Sequence, residues 1–454
     1  MKLTPDLIHR YNVNGPRYTS YPTAPNWHQS NSQDIYQTHL HQLGKLNEPI
    51  SLYIHIPFCE KQCYFCGCNV IIKKQKTEFG DTYLNYIEKE CQLIKSHLGP
   101  NFPVHQIHIG GGTPTYLSDS QLNRLDTIVK STFNCAELYE YSIEIDPRLF
   151  SASRFAHLNH YGVNRLSFGI QDFDPIVQRA INRDYNSEIF SELLTEAHRY
   201  QFSSINVDLI YGLPYQTTKS FSNTVSIINA LMPDRIALYS FAYLPQLISH
   251  HKLIRPESLP SPEEKVALYL SAKQQFESNQ YLSIAMDHFA LENDELSIAF
   301  KEGRMARNFM GYTTLTTPHY LGIGVSAIGY ANNAFFQNTK DLKDYYACLD
   351  NNSLPIKRQS VLSSDDLIRQ WVIFQLMCAF KLDKSEFYSR FQIDFDHYFH
   401  HEQGHLSKCE TEKLITNSHV IVVSNLGKLF IRNICMGFDN YLPKNQNTSF
   451  SKTI

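Results

Sequence analysis

The chain has 454 residues, with 41 Lys and Arg against 44 Asp and Glu, a formal charge of −3, and 43% hydrophobic residues. That length calls for two or three domains rather than one small core, and the near-neutral balance carries no polybasic footprint for nucleic acid or membrane surface. The N-terminal text has no apolar segment of signal-peptide length and no run approaches the ~18 residues of a membrane span, so the cytoplasm is the expected compartment.

Taken in chain order, the first 45 residues contain GPRYTSYPTAPNW and read as an ordered N-terminal arm, because Tyr18, Tyr21 and Trp27 need burial. From residue 50 a βα rhythm begins. β-branched apolar runs at 51–57, 104–110, 140–146, 164–170, 204–210 and 235–242 predict strands. Helical periodicity fills 77–98, 118–133, 151–161, 186–201, 217–231 and 261–279, with Ser118, Ser151 and Ser261 as N-caps. Crossovers of this length require parallel pairing. The expected fold is α/β: an open parallel (βα)6 partial barrel over 46–300. The segment 321–330 reads as a buried β-hairpin or loop, and 339–350 and 363–380 as helices. The span 413–439 reads as helix, short strand, helix. The region 301–454 is therefore expected to be a mostly helical, winged-helix-like domain covering the barrel mouth, with no basic stripe for DNA.

In such folds chemistry gathers where the strands end. The unusual residues of this chain lie there. YIHIPFCEKQCYFCGCN (53–69) follows the first strand and GGGTP (110–114) the second. Glu144 and Asp146 close the third, on one face with Ser142 by the two-residue period. Gln171 and Asp172 close the fourth, and DLIYGLP (208–214) the fifth.

Cys59, Cys63 and Cys66 form C-x3-C-x2-C, with Cys68 two residues further on. A disulfide knot, a zinc site and an iron–sulfur cluster compete for this loop. A reducing compartment disfavours disulfides. Zinc prefers four ligands in knuckles that lie far apart in sequence. Three cysteines on one short loop suit three corners of a [4Fe–4S] cube whose fourth iron stays open. Cys68 reads as a packed or hydrogen-bonding thiol beside the cluster or as a participant near substrate. The remaining six cysteines (Cys91, Cys135, Cys348, Cys378, Cys409 and Cys435) read as buried small apolar residues. GGGTP alone is a weak signal. Glu144, at a strand end, suits ribose hydroxyls or a cationic ligand.

The cysteine motif, placed after strand one, resembles the radical S-adenosylmethionine (SAM) superfamily. Within it the chain is similar over nearly its whole length to the oxygen-independent coproporphyrinogen III oxidases. The likeness rests on RYTSYPTA (17–24), the 53–69 motif, HIGGGTPTYL (108–117), SIEIDPR (142–148), NRLSFGIQDF (164–173), VQRAINR (177–183), NVDLIYGLP (206–214), MDHFA (286–290), RNFMGYTT (307–314), GIGVSAI (322–328) and LFIRNICMGFD (429–439). The resemblance implies one [4Fe–4S] cluster on Cys59, Cys63 and Cys66, and two SAM molecules. The first SAM would be held by Tyr53, Gly111, Glu144, Ala242 and Ile328. The second would lie by Phe65, Gly112, Thr113, Gln171, Arg183 and Asp208, with Arg183 facing a carboxylate and Asp208 an ammonium. Tyr53 and Cys68 are the expected catalytic side chains.

The implied reaction uses a 5′-deoxyadenosyl radical to convert two propionates of coproporphyrinogen III to vinyl groups. Electrons would come from a low-potential donor of flavodoxin or ferredoxin type, and the chain would act as a monomer. The substrate's four carboxylates call for cations, for which Arg17 and Arg307 are the candidates. One departure is visible: Tyr243 stands where the family has histidine. A haem-binding chaperone on the same scaffold, a radical SAM enzyme acting on another tetrapyrrole, and a zinc-stabilised protein are the alternatives.

Overall fold

The structure is a computed structural model and describes residues 3–29, 33–74, 77–99, 102–314, 317–442 and 450–454. Six consecutive strands, β1 (Ile50–Ile56), β2 (Val104–Gly111), β3 (Glu140–Ile145), β4 (Arg165–Gln171), β5 (Ser204–Tyr211) and β6 (Arg235–Ser240), pair in parallel in sequence order. Their crossovers are α1 (Thr77–Leu98), α2 (Asp119–Thr132), α3 (Phe155–His160), α4 (Ser187–Arg199) and α5 (Thr218–Leu231), and α6 (Pro262–Glu277) follows β6. All six strands and six helices fall where the periodicity puts them. β1 is buried at six of its seven positions, the near-continuous apolar run of a strand covered on both faces. Ser118 and Ser261 form full capping boxes with Gln121 and Glu264. Ser151 makes no cap bond. It precedes a 3-10 turn, Ala152–Arg154, and the α-helix proper begins only at Phe155.

The sheet extends past the six βα units. β7 (Tyr281–Ile284) and β8 (His288–Leu291) add an antiparallel hairpin beside β6. On the other side β9 (Tyr320–Ile323) pairs in parallel with β1, Gly322 lying opposite Tyr53. β10 (Ile328–Ala331), β11 (Ala334–Asn338) and β12 (Ile356–Val361) then continue antiparallel. The expected hairpin at 321–330 thus contributes a seventh parallel strand as well as a turn. The thirteen-stranded sheet is open.

The turn between β9 and β10 is fixed from behind by Glu90 of α1. This buried carboxylate accepts from Gly324 N–H at 2.7 Å, Asn338 Nδ2 at 2.6 Å and the Tyr345 hydroxyl at 2.6 Å. Burial pushes its carboxyl up to about 7, against the pull of those three donors.

One apolar cluster lies between the parallel sheet and its helices. A second joins the two ends of the chain. Leu7, Ile8, Tyr11, Tyr18 and Tyr21 of the arm pack on α8 (Ser364–Ala379), which follows α7 (Leu342–Asp350), and on residues up to Phe438. The arm is ordered, as its aromatic content predicts. Towards the C-terminus, Lys381–Asp383, Ile415–Asn417 and Val420–Val423 form a small antiparallel sheet beside short helices. The start of 413–439 is therefore strand rather than helix: Ile415 and the Val420–Val423 run are β-branched and flank a polar turn. All ten cysteines are free. Cys91, Cys378, Cys409 and Cys435 are buried as expected, whereas Cys135 and Cys348 are only half-buried. No helix among the described residues is long and apolar enough to cross a membrane.

Candidate active site

The cysteine loop is anchored at its neck and on two sides. Phe58 and Cys59 pair in parallel with Ile71 and Ile72. Tyr64 N–H donates to Ile181 O at 3.0 Å, and Asn182 Nδ2 to Gln62 O at 2.8 Å. From the segment after β6, His250 Nε2 donates to Cys66 O at 2.6 Å. These bonds fix the thiols before any ligand arrives. Cys59, Cys63, Cys66 and Cys68 all line one cavity of about 300 Å³ at the C-terminal ends of β1 to β6.

The glycines of the second strand end make that cavity possible. A Cβ on Gly110 would lie 2.8 Å from Glu144 Oε1, and one on Gly112 would lie 2.8 Å from Pro57 O. Gly111 has φ +122°, and its Cβ would strike His55 at 2.7 Å. Gly111 N–H donates to Glu144 Oε2 at 3.0 Å, so the turn and the carboxylate fix each other.

The electrostatics of the wall are unequal. Glu144 would be raised by burial, but a hydrogen bond from His108 and the Gly111 N–H hold it below the usual carboxylate range. Asp146 is likewise held low by Arg183 and Arg148, at 3.3 and 2.6 Å. Both guanidiniums also approach Cys63 Sγ, Arg183 at 3.4 Å and Arg148 at 3.5 Å. Asp208 accepts from Asn206 at 2.9 Å and Ser167 at 3.4 Å; burial and the nearby Glu144 raise it to about 6. A hydrogen bond from the Cys68 thiol pulls Cys66 down to about 7, and that bond, with the Cys66 charge, pushes Cys68 well up.

Of the residues expected from the sequence, Cys59, Cys63, Cys66, Cys68, Phe65, Gly111, Gly112, Thr113, Glu144, Gln171, Arg183 and Asp208 line this cavity together. Gln171 sits at a register shift with φ +70°, a left-handed conformation that a non-glycine residue rarely adopts. Tyr53, Ala242 and Ile328 do not line it. The Tyr53 ring stacks on His108 at 5.8 Å, and its hydroxyl donates to His55 Nδ1 at 3.0 Å. Ala242 follows β6, and Ile328 packs in an aromatic cluster with Trp27 and Tyr320. Arg183 is engaged by Asp146, the Gly169 carbonyl and Cys63. Arg17 donates to the Ser240 carbonyl at the end of β6, and Arg307 is buried beside it, donating to Arg17 O at 3.4 Å. Tyr243 stacks on His251 with ring centroids 6.0 Å apart.

Several site residues gave no clear sign in the sequence. Arg148 was given no role there, although DPR directly after a strand was a signal. Asn206 follows from the two-residue period before Asp208, and Ser167 lies opposite it on β4. Tyr239 and His250 carried no signal at all.

Residues 53–228 match the model of the radical SAM superfamily. A Pseudomonas aeruginosa protein described as oxygen-independent coproporphyrinogen III oxidase is 40% identical over 452 residues, 99% of this chain and 98% of that one. The Escherichia coli K12 protein of the same description is 41% identical over 454 residues, again 99% and 98%. The chain belongs to the oxygen-independent coproporphyrinogen III oxidase family. The solved structure of the Escherichia coli coproporphyrinogen III oxidase, described as a radical SAM enzyme, superposes with a TM-score of 0.90 and 38% identity, covering 97% of this chain and all of that one.

Membership of this oxidase family implies a [4Fe–4S] cluster and SAM. The residues present fit both. Cys59, Cys63 and Cys66 line one shared cavity. That donor set suits a cube. The glycine turn and the Glu144 carboxylate leave backbone and charge open to a sulfonium amino acid.

Proposed function

We propose that the chain carries out the oxidative decarboxylation of two propionate side chains of coproporphyrinogen III. The product is protoporphyrinogen IX, in anaerobic porphyrin and haem biosynthesis. Each propionate loses one hydrogen from its β-carbon, one carbon dioxide and one electron, and leaves a vinyl group. The observation that carries this reading is that Cys59, Cys63 and Cys66 open on the same cavity as the 110–112 turn and Glu144, in a chain similar end to end to these oxidases.

When bound, the cluster held by those three thiols supplies the electron that turns SAM into the hydrogen-abstracting radical. The protein's part is position and the exclusion of water. In this reading Tyr53, Gly111, Glu144, Ala242 and Ile328 hold one SAM. Phe65, Gly112, Thr113, Gln171, Arg183 and Asp208 hold a second. Arg183 and Arg148 both reach Cys63 Sγ, and their pairing with Asp146 keeps them aimed there. Cys68 lines the same cavity and stands outside the three-thiol ligand set. The arm closes the mouth through Arg17, which donates to the Ser240 carbonyl at the end of β6. A flavodoxin- or ferredoxin-type donor delivers the electrons to a monomer in the cytoplasm.

The test is an anaerobic assay with reduced cluster, SAM and coproporphyrinogen III. The expected result is 5′-deoxyadenosine in step with a product lighter by two carbon dioxides and four hydrogens. Deoxyadenosine without vinyl product would point to another substrate.

A further inference from the structure

A second concavity, of about 510 Å³, lies between β9, β10 and α8. Its walls are aromatic: Tyr320 and Tyr330 on the sheet, Trp371 on α8, and Phe391. Two arginines line it, Arg307 and Arg390, and among the described residues of its lining there is no aspartate or glutamate. Arg307 is 7% exposed and lies over the Tyr312 ring at 4.4 Å; its Nε has no acceptor. The Tyr320 hydroxyl, 4% exposed, has no partner either. A buried donor left unmade costs about 1–3 kcal/mol, so the groove holds two polar groups that a carboxylated ligand would satisfy.

We infer that this groove seats the macrocycle of the substrate, its pyrroles against the aromatic walls and its propionates on Arg307 and Arg390. The inference rests on the function proposed above and gives the tetrapyrrole a place within it. The chemistry is complementary: the ligand is a broad apolar ring bearing four carboxylates, and the groove is an apolar wall bearing cations and no anion. The volume falls within the ~300–1,000 Å³ of small-molecule sites. The thiol cavity is smaller and is lined by charge, and it must already hold the cluster and SAM. Arg307 stands on the side of the groove that faces the thiol cavity. It lines the groove and donates to Arg17 O, Arg17 donates to the Ser240 carbonyl, and the adjacent Tyr239 lines the thiol cavity. A propionate held on Arg307 is thereby turned towards the reacting side, while the exposed Arg390 takes one at the solvent rim.

Binding is read directly with coproporphyrin III, the stable aromatic ring with the same four carboxylates. The chain has two tryptophans: Trp371 lines the groove and Trp27 stacks on Phe335, which lines it too, so quenching of tryptophan fluorescence reports occupancy of the groove. Saturable quenching is expected in the wild type, and octaethylporphyrin, which lacks carboxylates, should give none. Arg390→Glu, at an exposed position, should weaken coproporphyrin III binding about tenfold while SAM binding by equilibrium dialysis is unchanged. Leu367→Trp, which fills the groove, should do the same. Wild-type affinity in both variants would overturn the groove. If wild-type protein makes the vinyl product and both variants keep its KM, the groove fails and the reaction stands. If binding follows the expected pattern but no vinyl product forms, the groove stands and the reaction fails.

Discussion

Along the inner face of the parallel sheet, the two ends of the strands are furnished differently. At the N-terminal ends the Ser51 hydroxyl donates to Gln106 at 2.7 Å, Gln106 donates to Glu140 at 2.7 Å, and Glu140 faces Arg165 at 3.0 Å. Arg235 grips Asp294 through Nε at 2.8 and 3.0 Å, and Ser204 joins them. The carboxylates there all face a guanidinium, and the layer is filled by side chains, although Arg165 Nη1 and Arg235 Nη2 find no acceptor. Four residues further along the same strands, on the same face, Gly110 takes the place of Gln106 and Gly169 that of Arg165. Removing those side chains opens the cavity, and Glu144, Asp208 and the thiols turn into it. One strand sequence thus builds a closed polar layer at the base and an open one at the mouth, and glycine is the switch between them. The base holds the sheet together and the mouth performs chemistry.

The largest expected effect breaks the mouth. Cys66→Ser should lose iron and all product, read by iron content and by the anaerobic assay, whereas Cys68→Ser should keep an assembled cluster. Retained product in Cys66→Ser would remove the thiol from the ligand set. Next comes a pair that sets mouth against base. Asp208→Asn should lower kcat/KM by about 10²-fold and leave the melting temperature unmoved. Arg165→Met strands the Glu140 charge and should cost about 4 kcal/mol of stability, read by thermal melting, with kcat intact. If both variants lose stability alike, the contrast between the two layers is wrong.

The smallest effect concerns Glu90. Its folded pKa of about 7 lies above the ordinary 4.5, so its contribution is fully present below pH 4.5 and is lost as pH rises through about 7. The loss is about 3 kcal/mol at most. The wild-type melting temperature should fall between pH 5 and pH 8 by more than that of Glu90→Gln. Equal slopes would show that another group governs the pH dependence.

The parallel strands and their helices were legible because each carries its own periodicity within a short window, and the strand-end residues were legible because their positions follow from those strands. The extension of the sheet was not. β9 resembles any glycine-containing apolar run, and its parallel partner lies some 270 residues earlier, in β1. The protein partners of the expected site residues were not legible either. In the structure the Tyr53 ring stacks on His108, and the Arg183 guanidinium pairs with Asp146. Side-chain pairing of that kind depends on what stands across the sheet, which no local pattern records. The groove was hidden for the same reason, since Tyr320, Trp371 and Arg390 belong to three separate segments.

The second core has a consequence for synthesis. Its apolar surface is shared between residues 7–21 and a stretch that begins at Ile368. The arm therefore leaves the ribosome with Leu7, Ile8 and Tyr11 uncovered and waits for about 350 more residues, ~20–70 s at usual elongation rates. During that interval only Val266, Met286 and Phe300 can offer the arm partial cover, which leaves Leu7, Ile8 and Tyr11 in need of a chaperone's shelter.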